Sequence, residues 1–457
     1  MPRIIDCHCH HLDDTDVEWA RKLGYDKIVL MDWPIEKLKE SFRKHPDFVI
    51  PVGYLPLQED VSVVLDYVER YREMGCLGLK ACGASARYDD ERHYPVWAKA
   101  QEYRLPVFFH TGWLDIRLAT GTFNLKKRSL WDFYHVMTLD RITCDFPHLK
   151  LVAFHMGGTY IADCSLLMRQ WPNIYADSCI GLRADARDYF WGQIGGDGGG
   201  LQTLSKMVYG TDGMATYGAT RDRIEEFQAL FDGLKVPKGL QERIWHKNAQ
   251  RIVGLDDELK KKVRVGAVKD SAMDLKIAAR GGRLAGATRI ADFTDRTMSR
   301  YGEPTRFGTT CWIGCDERAL HMVFHCKDRN ATKVDVSREG PVSQIWQDDS
   351  VEVFLSPGNN EDYRHFVVNA IGRASTDKNR GPMTGFDGKV ESRIAKDGWT
   401  AKISIPFSLL GAKPTSGATW GLQLCRNKHT APEETMTWSE VATTFHDPSS
   451  FGKMIFE

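Results

Sequence analysis

The chain has no excess of either charge: 61 Lys and Arg residues face 61 Asp and Glu residues over a length of 457. That balance excludes the general attraction to nucleic acid or to an anionic membrane that a strongly basic protein shows. No apolar run reaches membrane-spanning length, so no transmembrane segment is expected. Met1-Pro2-Arg3 leads straight into an apolar stretch, so no leader peptide is expected either. Internal repeats and low-complexity tracts are lacking. A disulfide framework is also missing: the eleven cysteines are odd in number and have no scaffold spacing. Most lie in apolar segments, for example Cys76, Cys82, Cys144, Cys179, Cys326 and Cys425. They predict reduced thiols and a cytoplasmic location.

What is present points to a soluble protein of more than one domain. Hydrophobic residues make up 42% of the chain, an ordinary globular content, and the length predicts two or three domains. Up to about residue 255, short apolar runs alternate with amphipathic helical patterns such as Val61 to Met74 and Ile224 to Leu234. The runs are Ile4 to Cys7, Lys27 to Met31, Phe48 to Gly53, Leu77 to Ala81, Pro106 to Phe109, Leu149 to Phe154, Ile174 to Ala176 and Met207 to Gly210. Near-continuous apolar strands are buried on both faces. Eight βα units in roughly 250 residues predict an α/β TIM barrel over residues 1–256, with a doubly wound sheet as the rival.

The charged stretch from Asp256 to Lys262 has a linker's composition, and the linker is expected over 257–270. Beyond it, segments such as Leu320 to Cys326, Ser350 to Leu355, His365 to Ala370, Trp399 to Ile405 and Trp420 to Arg426 alternate with period two or are rich in β-branched residues. They predict an antiparallel β-sandwich over residues 271–457.

The barrel half carries the chemistry. In Ile5-Asp6-Cys7-His8-Cys9-His10 the two histidines are two apart, and on a strand they share a face. They can therefore direct two imidazoles at one divalent metal. Cys7 and Cys9 point to the opposite face and read as packing residues. Active residues of a TIM barrel sit at the C-terminal ends of its strands. Those ends supply His8, His10, Lys80, His110, His155 and Asp212, six metal-competent side chains that independent structural roles would not bring to the same end. Gly195 to Gly200 is glycine-dense, but no strand leads into it as a phosphate loop requires, so it reads as a flexible loop near the barrel mouth.

With its opening Ile-Asp-x-His-x-His, His110-Thr111-Gly112, His155-Met156-Gly157-Gly158, Tyr209-Gly210-Thr211-Asp212 and Asn248-Ala249-Gln250-Arg251-Ile252, the chain resembles the amidohydrolase superfamily, in particular its amidohydrolase-related branch. The resemblance implies that His8, His10, His110 and Asp212 bind metal. Asp212 would also be the general base for a water that the metal acidifies toward about pKa 7. His155 would be a second-metal ligand or polarise the substrate carbonyl. Lys80 would either be carboxylated and bridge two metals, or pair with a substrate carboxylate, or simply neutralise Asp212. One Zn²⁺ is expected rather than two, with Mn²⁺ as the other candidate. Arg87, Trp113 and Arg117 follow the fourth and fifth strands, where substrate loops belong.

The C-terminal half resembles a family-9 carbohydrate-binding module through Trp346-Gln347-Asp348-Asp349-Ser350-Val351-Glu352-Val353-Phe354, the His365 to Gly372 run, Trp399, Ile405-Pro406-Phe407, Trp420-Gly421-Leu422, Arg426 and Trp438-Ser439. Such modules stack sugar rings on aromatic faces, which makes Trp346 and Trp438 the candidates. Asp348 and Asp349 lack further ligands at Ca²⁺ spacing. The expected activity is metal-dependent hydrolysis of an ester, lactone or amide carbonyl in a small, sugar-derived substrate. A decarboxylase or hydratase is the second reading, and a non-catalytic sugar-binding protein with a vestigial barrel the third. No nucleic-acid or membrane partner is expected, and the reading leaves room for a homodimer.

Overall fold

A computed structural model describes residues 3–112, 134–179, 200–213, 217–268, 286–336, 341–358, 362–441 and 444–457. The chain divides into two compact units, residues 1–257 and 258–457.

The first unit is a TIM barrel. Its strands are β1 (Ile4–Cys9), β2 (Tyr25–Leu30), β3 (Val49–Pro51), β4 (Gly53–Pro56), β5 (Leu79–Cys82), β6 (Val107–His110), β7 (Leu151–Phe154), β8 (Ile174–Asp177) and β9 (Met207–Val208). All pair in parallel. The expected third strand is divided. The N–H of Val52 donates to Leu30 O, and the N–H of Gly53 donates to Gly78 O, both at 3.0 Å. Pairing thus passes from β2 to β5 between these two residues. Gly53 is fixed by packing, because a Cβ there would fall 2.2 Å from the Tyr71 ring. That ring comes from the helix Val61–Met74, which buries Val64, Val68 and Tyr71 along one stripe and ends at Gly75 with φ +86°.

Closure of the barrel sets up the site. Cys7 N–H donates to Tyr209 O and Asp212 N–H donates to His8 O, both at 2.8 Å. The end of the last strand is thereby laid directly against the end of the first.

The second unit is a sandwich of antiparallel-rich sheets. One sheet runs β11 (Thr288–Ile290), β13 (Thr309–Cys315), β14 (Ala319–Lys327), β20 (Gly398–Pro406), β19 (Lys389–Ala395). The other runs β10 (Lys262–Val265), β23 (Gly452–Phe456), β21 (Thr419–Lys428), β15 (Ser350–Pro357), β16 (Arg364–Asn369), β17 (Ala374–Lys378), β18 (Thr384–Gly385). β22 (Glu434–Thr437) pairs with β21 and with β12 (Thr294–Asp295). Part of the expected linker is corrected here: Lys262–Val265 is a strand paired with β23. Its exposed–buried alternation places Val263 and Val265 in the sandwich core, and the neighbouring lysines had masked that pattern. Val351, Val353 and Leu355 of β15 face this core, which leaves Glu352 and Phe354 on the opposite face.

All cysteines are free; Cys144, expected inside an apolar segment, is instead exposed on the helix Thr138–Asp145. Among the described residues no helix is long and apolar enough to cross a membrane.

Candidate metal centre

The site is assembled at the C-terminal ends of β1, β5, β6, β7 and β8 and just past β9. His8 Nε2 lies 3.1 Å from His10 Nε2 and 3.0 Å from Asp212 Oδ1, which is 3.6 Å from His10 Nε2. The other ring nitrogens fix the tautomers. His8 Nδ1 donates to Asp177 Oδ2 at 2.6 Å, and His10 Nδ1 donates to Met31 O at 2.8 Å. Burial holds both imidazoles in the neutral form: it pushes His8 well below its usual range, and with the nearby Lys80 charge it takes His10 down to about 4. Neither Nε2 therefore carries a proton. Two nitrogen lone pairs and a carboxylate oxygen converge with no hydrogen between them. A cation is what such a donor set fits, since ligands held about 2.0–2.2 Å from one metal lie roughly 3–3.5 Å from each other.

Asp212 is ionised. Burial would raise its carboxyl, but the surrounding His8, His155 and His10 prevail and hold it far below the usual carboxylate range. It has φ +58°, a left-handed turn that puts its side chain back over β1. Asp6 braces the same turn, accepting from the His8 N–H at 3.1 Å and from Thr211 Oγ1 at 2.6 Å.

His155 lies beside this group, its ring 5.2 Å from that of His8. Its Nδ1 donates to Cys179 O at 2.9 Å, so its Nε2 carries a lone pair, which lies 3.2 Å from His110 Nδ1. His155, Cys179 and Asp212 form a second possible donor group that shares Asp212 with the first. His110 is paired with His155 and does not fall in the group of His8, His10 and Asp212. Lys80 is 1% exposed and its amine has no hydrogen-bond partner among the described residues. Burial lowers it to about 8, and it rests on the ring of Phe154 at 3.9 Å.

Other expected site residues lie elsewhere. Arg87 pairs with Asp89 on the surface through two bonds of 2.9 and 3.0 Å. Trp113, Arg117 and Gly195 to Gly199 fall outside the described residues. Trp346 is 47% exposed, but Trp438 is 2% exposed within the sandwich core, against Gly452. This corrects the expectation for Trp438, which has no ring face open to a sugar. The Asp349 oxygens are taken by Asp335 N–H, His429 N–H and Thr430 Oγ1, and they staple loops of the sandwich rather than await a cation.

A third donor group, His365, Asp377 and His446, lies in the sandwich. Both nitrogens of His365 donate, to Asp377 Oδ2 and to Glu352 Oε2, each at 2.6 Å. That separation is a charge-assisted hydrogen bond and too short for a metal in between. Burial opposes the charge, but the two carboxylates hold His365 up at about 9.

The functional residue missing from the sequence reading is Asp177, at the end of β8. Its signal was the same as for its neighbours: a polar residue closing the apolar run Ile174-Tyr175-Ala176.

Residues 5–255, more than half of the chain, match the family model described as amidohydrolase. The chain belongs to the amidohydrolase family. Members of this family bind divalent metals and include hydrolases and decarboxylases. Residues 310–457 match a second model, carbohydrate family 9 binding domain-like. Among solved structures, the chain is similar to 2,6-dihydroxybenzoate decarboxylase from Rhizobium at 14% identity, over 56% of this chain and 100% of the other, with TM-score 0.41. A dihydroxybenzoic acid decarboxylase from Polaromonas with bound manganese matches at 14% identity over 56% and 98%, TM-score 0.39. A family 9 carbohydrate binding module from Caldicellulosiruptor kristjanssonii, in complex with cellotriose, matches at 17% identity over 43% and 94%, TM-score 0.29. No curated protein matches.

Proposed function

We propose that the barrel is a metal-dependent hydrolase acting on an ester, lactone or amide carbonyl of a small, carbohydrate-derived molecule. The observation that carries the reading is the convergence of the proton-free His8 Nε2 and His10 Nε2 with Asp212 Oδ1. One Zn²⁺ held by these residues, with His110 as a further donor, suits a nitrogen-rich set; Mn²⁺ is the alternative. When bound, the cation polarises a carbonyl and makes water more acidic. Asp212, ionised throughout the neutral range, takes the proton of the attacking water and returns it to the leaving alkoxide or amine. Neutral His10 and His8 add no positive charge of their own, so an anionic nucleophile would be balanced by the cation and by the nearby Lys80. Phe154, stacked on His8, excludes water from that side. The exposed ring of Trp346 supports sugar binding by the sandwich, and cytoplasmic location remains part of the proposal.

A second reading, decarboxylation or hydration of a carboxylic acid, is favoured by one observation: the unmatched amine of Lys80, a buried donor suited to a substrate carboxylate. The test is turnover of a panel of sugar lactones, acylated sugars and hydroxybenzoates before and after chelation, with Zn²⁺ or Mn²⁺ restored. Lactone or ester turnover that needs the metal supports hydrolysis, and loss of CO₂ from the benzoates supports the lyase. A chain that binds no metal, and whose His8→Ala variant behaves as the parent, defeats both.

A further inference from the structure

We propose that Asp177 is the positioning residue of the metal centre: one carboxylate locks the His8 ring and the His155 backbone so that both imidazoles present their Nε2 lone pairs inward. The inference rests on the metal reading above and goes beyond it, because Asp177 belongs to neither donor group at the site. Its two oxygens are divided. Oδ2 accepts from His8 Nδ1 at 2.6 Å, and Oδ1 accepts from the His155 N–H at 2.6 Å. Asp177 is fully buried, so these bonds stand in for solvent. The end of β8 thus ties the end of β1 to the residue that follows β7.

Two further observations show that the His8–Asp177 pair is accommodated by its surroundings. Phe154 stacks on the His8 ring at 3.6 Å with 12° between planes, which fixes the plane in which Nδ1 and Nε2 lie. Gly210 supplies the space: a Cβ there would be 2.9 Å from the His8 Cβ and 3.3 Å from Asp177 Oδ2. A side chain at 210 would push the pair apart. The acceptor on Nδ1 has two consequences for the opposite nitrogen: it keeps Nε2 free of a proton, and it raises the donor strength of the ring.

The test uses the full chain. Zn²⁺ affinity is measured by competition with a chromophoric chelator, and the Co²⁺-loaded protein is followed by its visible absorption bands. Asp177→Asn keeps the shape and replaces one of the two carboxyl oxygens by an amide NH₂. It is expected to weaken Zn²⁺ binding by about 10- to 100-fold and to shift the Co²⁺ bands, with the unfolding midpoint of the metal-free chain unchanged. Gly210→Ala removes no polar atom but crowds His8 Cβ and Asp177 Oδ2, and is expected to weaken Zn²⁺ in the same direction; it carries the test should Asp177→Asn fail to fold. Zn²⁺ affinity within about two-fold of the parent overturns the inference. So does a weaker affinity that comes with parental Co²⁺ bands and a lowered metal-free midpoint, which would make Asp177 a mere brace. A parent chain that takes up no divalent metal overturns the metal reading and this inference together; metal uptake unchanged by the substitutions overturns this inference alone.

Discussion

The amine of Lys80 rests 3.9 Å from the centre of the Phe154 ring, with no hydrogen-bond partner among the described residues. Phe154 also stacks on His8, so one ring links the lysine to the candidate metal centre. An aromatic face partly replaces water for a buried cation, yet three N–H donors without acceptors destabilise the fold. Such a side chain persists where what it binds offsets that loss.

Lys80→Met tests this. It removes an unmatched buried donor and keeps the apolar stem, so the thermal midpoint is expected to hold or rise. Turnover of the best substrate is expected to fall by about 10²-fold, the scale of a misplaced reacting group. Calorimetry and steady-state kinetics together give the answer, and full activity in the variant would reduce Lys80 to a packing residue.

Asp212 is the group assigned the proton. In Asp212→Asn the shape stays and the base is lost, so kcat should fall by about 10²- to 10⁴-fold. His8→Ala should instead abolish metal uptake. Metal analysis separates the two effects: an Asn variant that still holds metal but has lost turnover identifies the base, and one that keeps its turnover removes Asp212 from that role.

Much of this site could be read in the sequence because a TIM barrel converts strand ends into neighbours. His8, His10, Lys80, His110, His155 and Asp212 each close an apolar run, and the fold brings those ends to one face. Asp177 closes such a run too. It went unread because no family motif surrounds it in the way that Tyr209-Gly210-Thr211 leads into Asp212, and its meaning appears only across the 2.6 Å gap to His8. The division of the third strand was hidden for another reason: Val52 and Gly53 differ in which strand their N–H groups find, a long-range choice that periodicity does not carry. Trp438 was misread although Met436, two residues earlier on the same face, is buried in the sandwich core. The alternation was visible there, but which face met the other sheet was not.

The sandwich should have its own pH dependence, set by His365. Its pKa is about 9 against an ordinary 6.5, so the folded chain holds the proton more tightly than the unfolded chain. The stabilisation is complete below about 6.5 and is lost as the pH rises through about 9. The unfolding midpoint of the sandwich should therefore fall between these values, and His365→Gln should flatten the slope. Calorimetric scans of the full chain at stepped pH check this. A slope that survives the substitution would place its origin in other groups.

The two candidate tryptophans should separate binding from stability. Trp438 fills the core beside Gly452, where a Cβ would fall 2.7 Å from its ring, so Trp438→Ala leaves a large cavity and should cost about 3–5 kcal/mol. Trp346 is 47% exposed, and its neighbours make few demands on its ring, so Trp346→Ala should leave the unfolding midpoint within about 1 kcal/mol of the parent. If the module holds sugar by stacking, that same variant should lose most of its retention on immobilised oligosaccharide, since a stacked ring supplies apolar contact that polar neighbours do not replace. Affinity electrophoresis of the parent and Trp346→Ala reads the outcome. Equal retention of both would mean that the exposed ring serves another surface of the module.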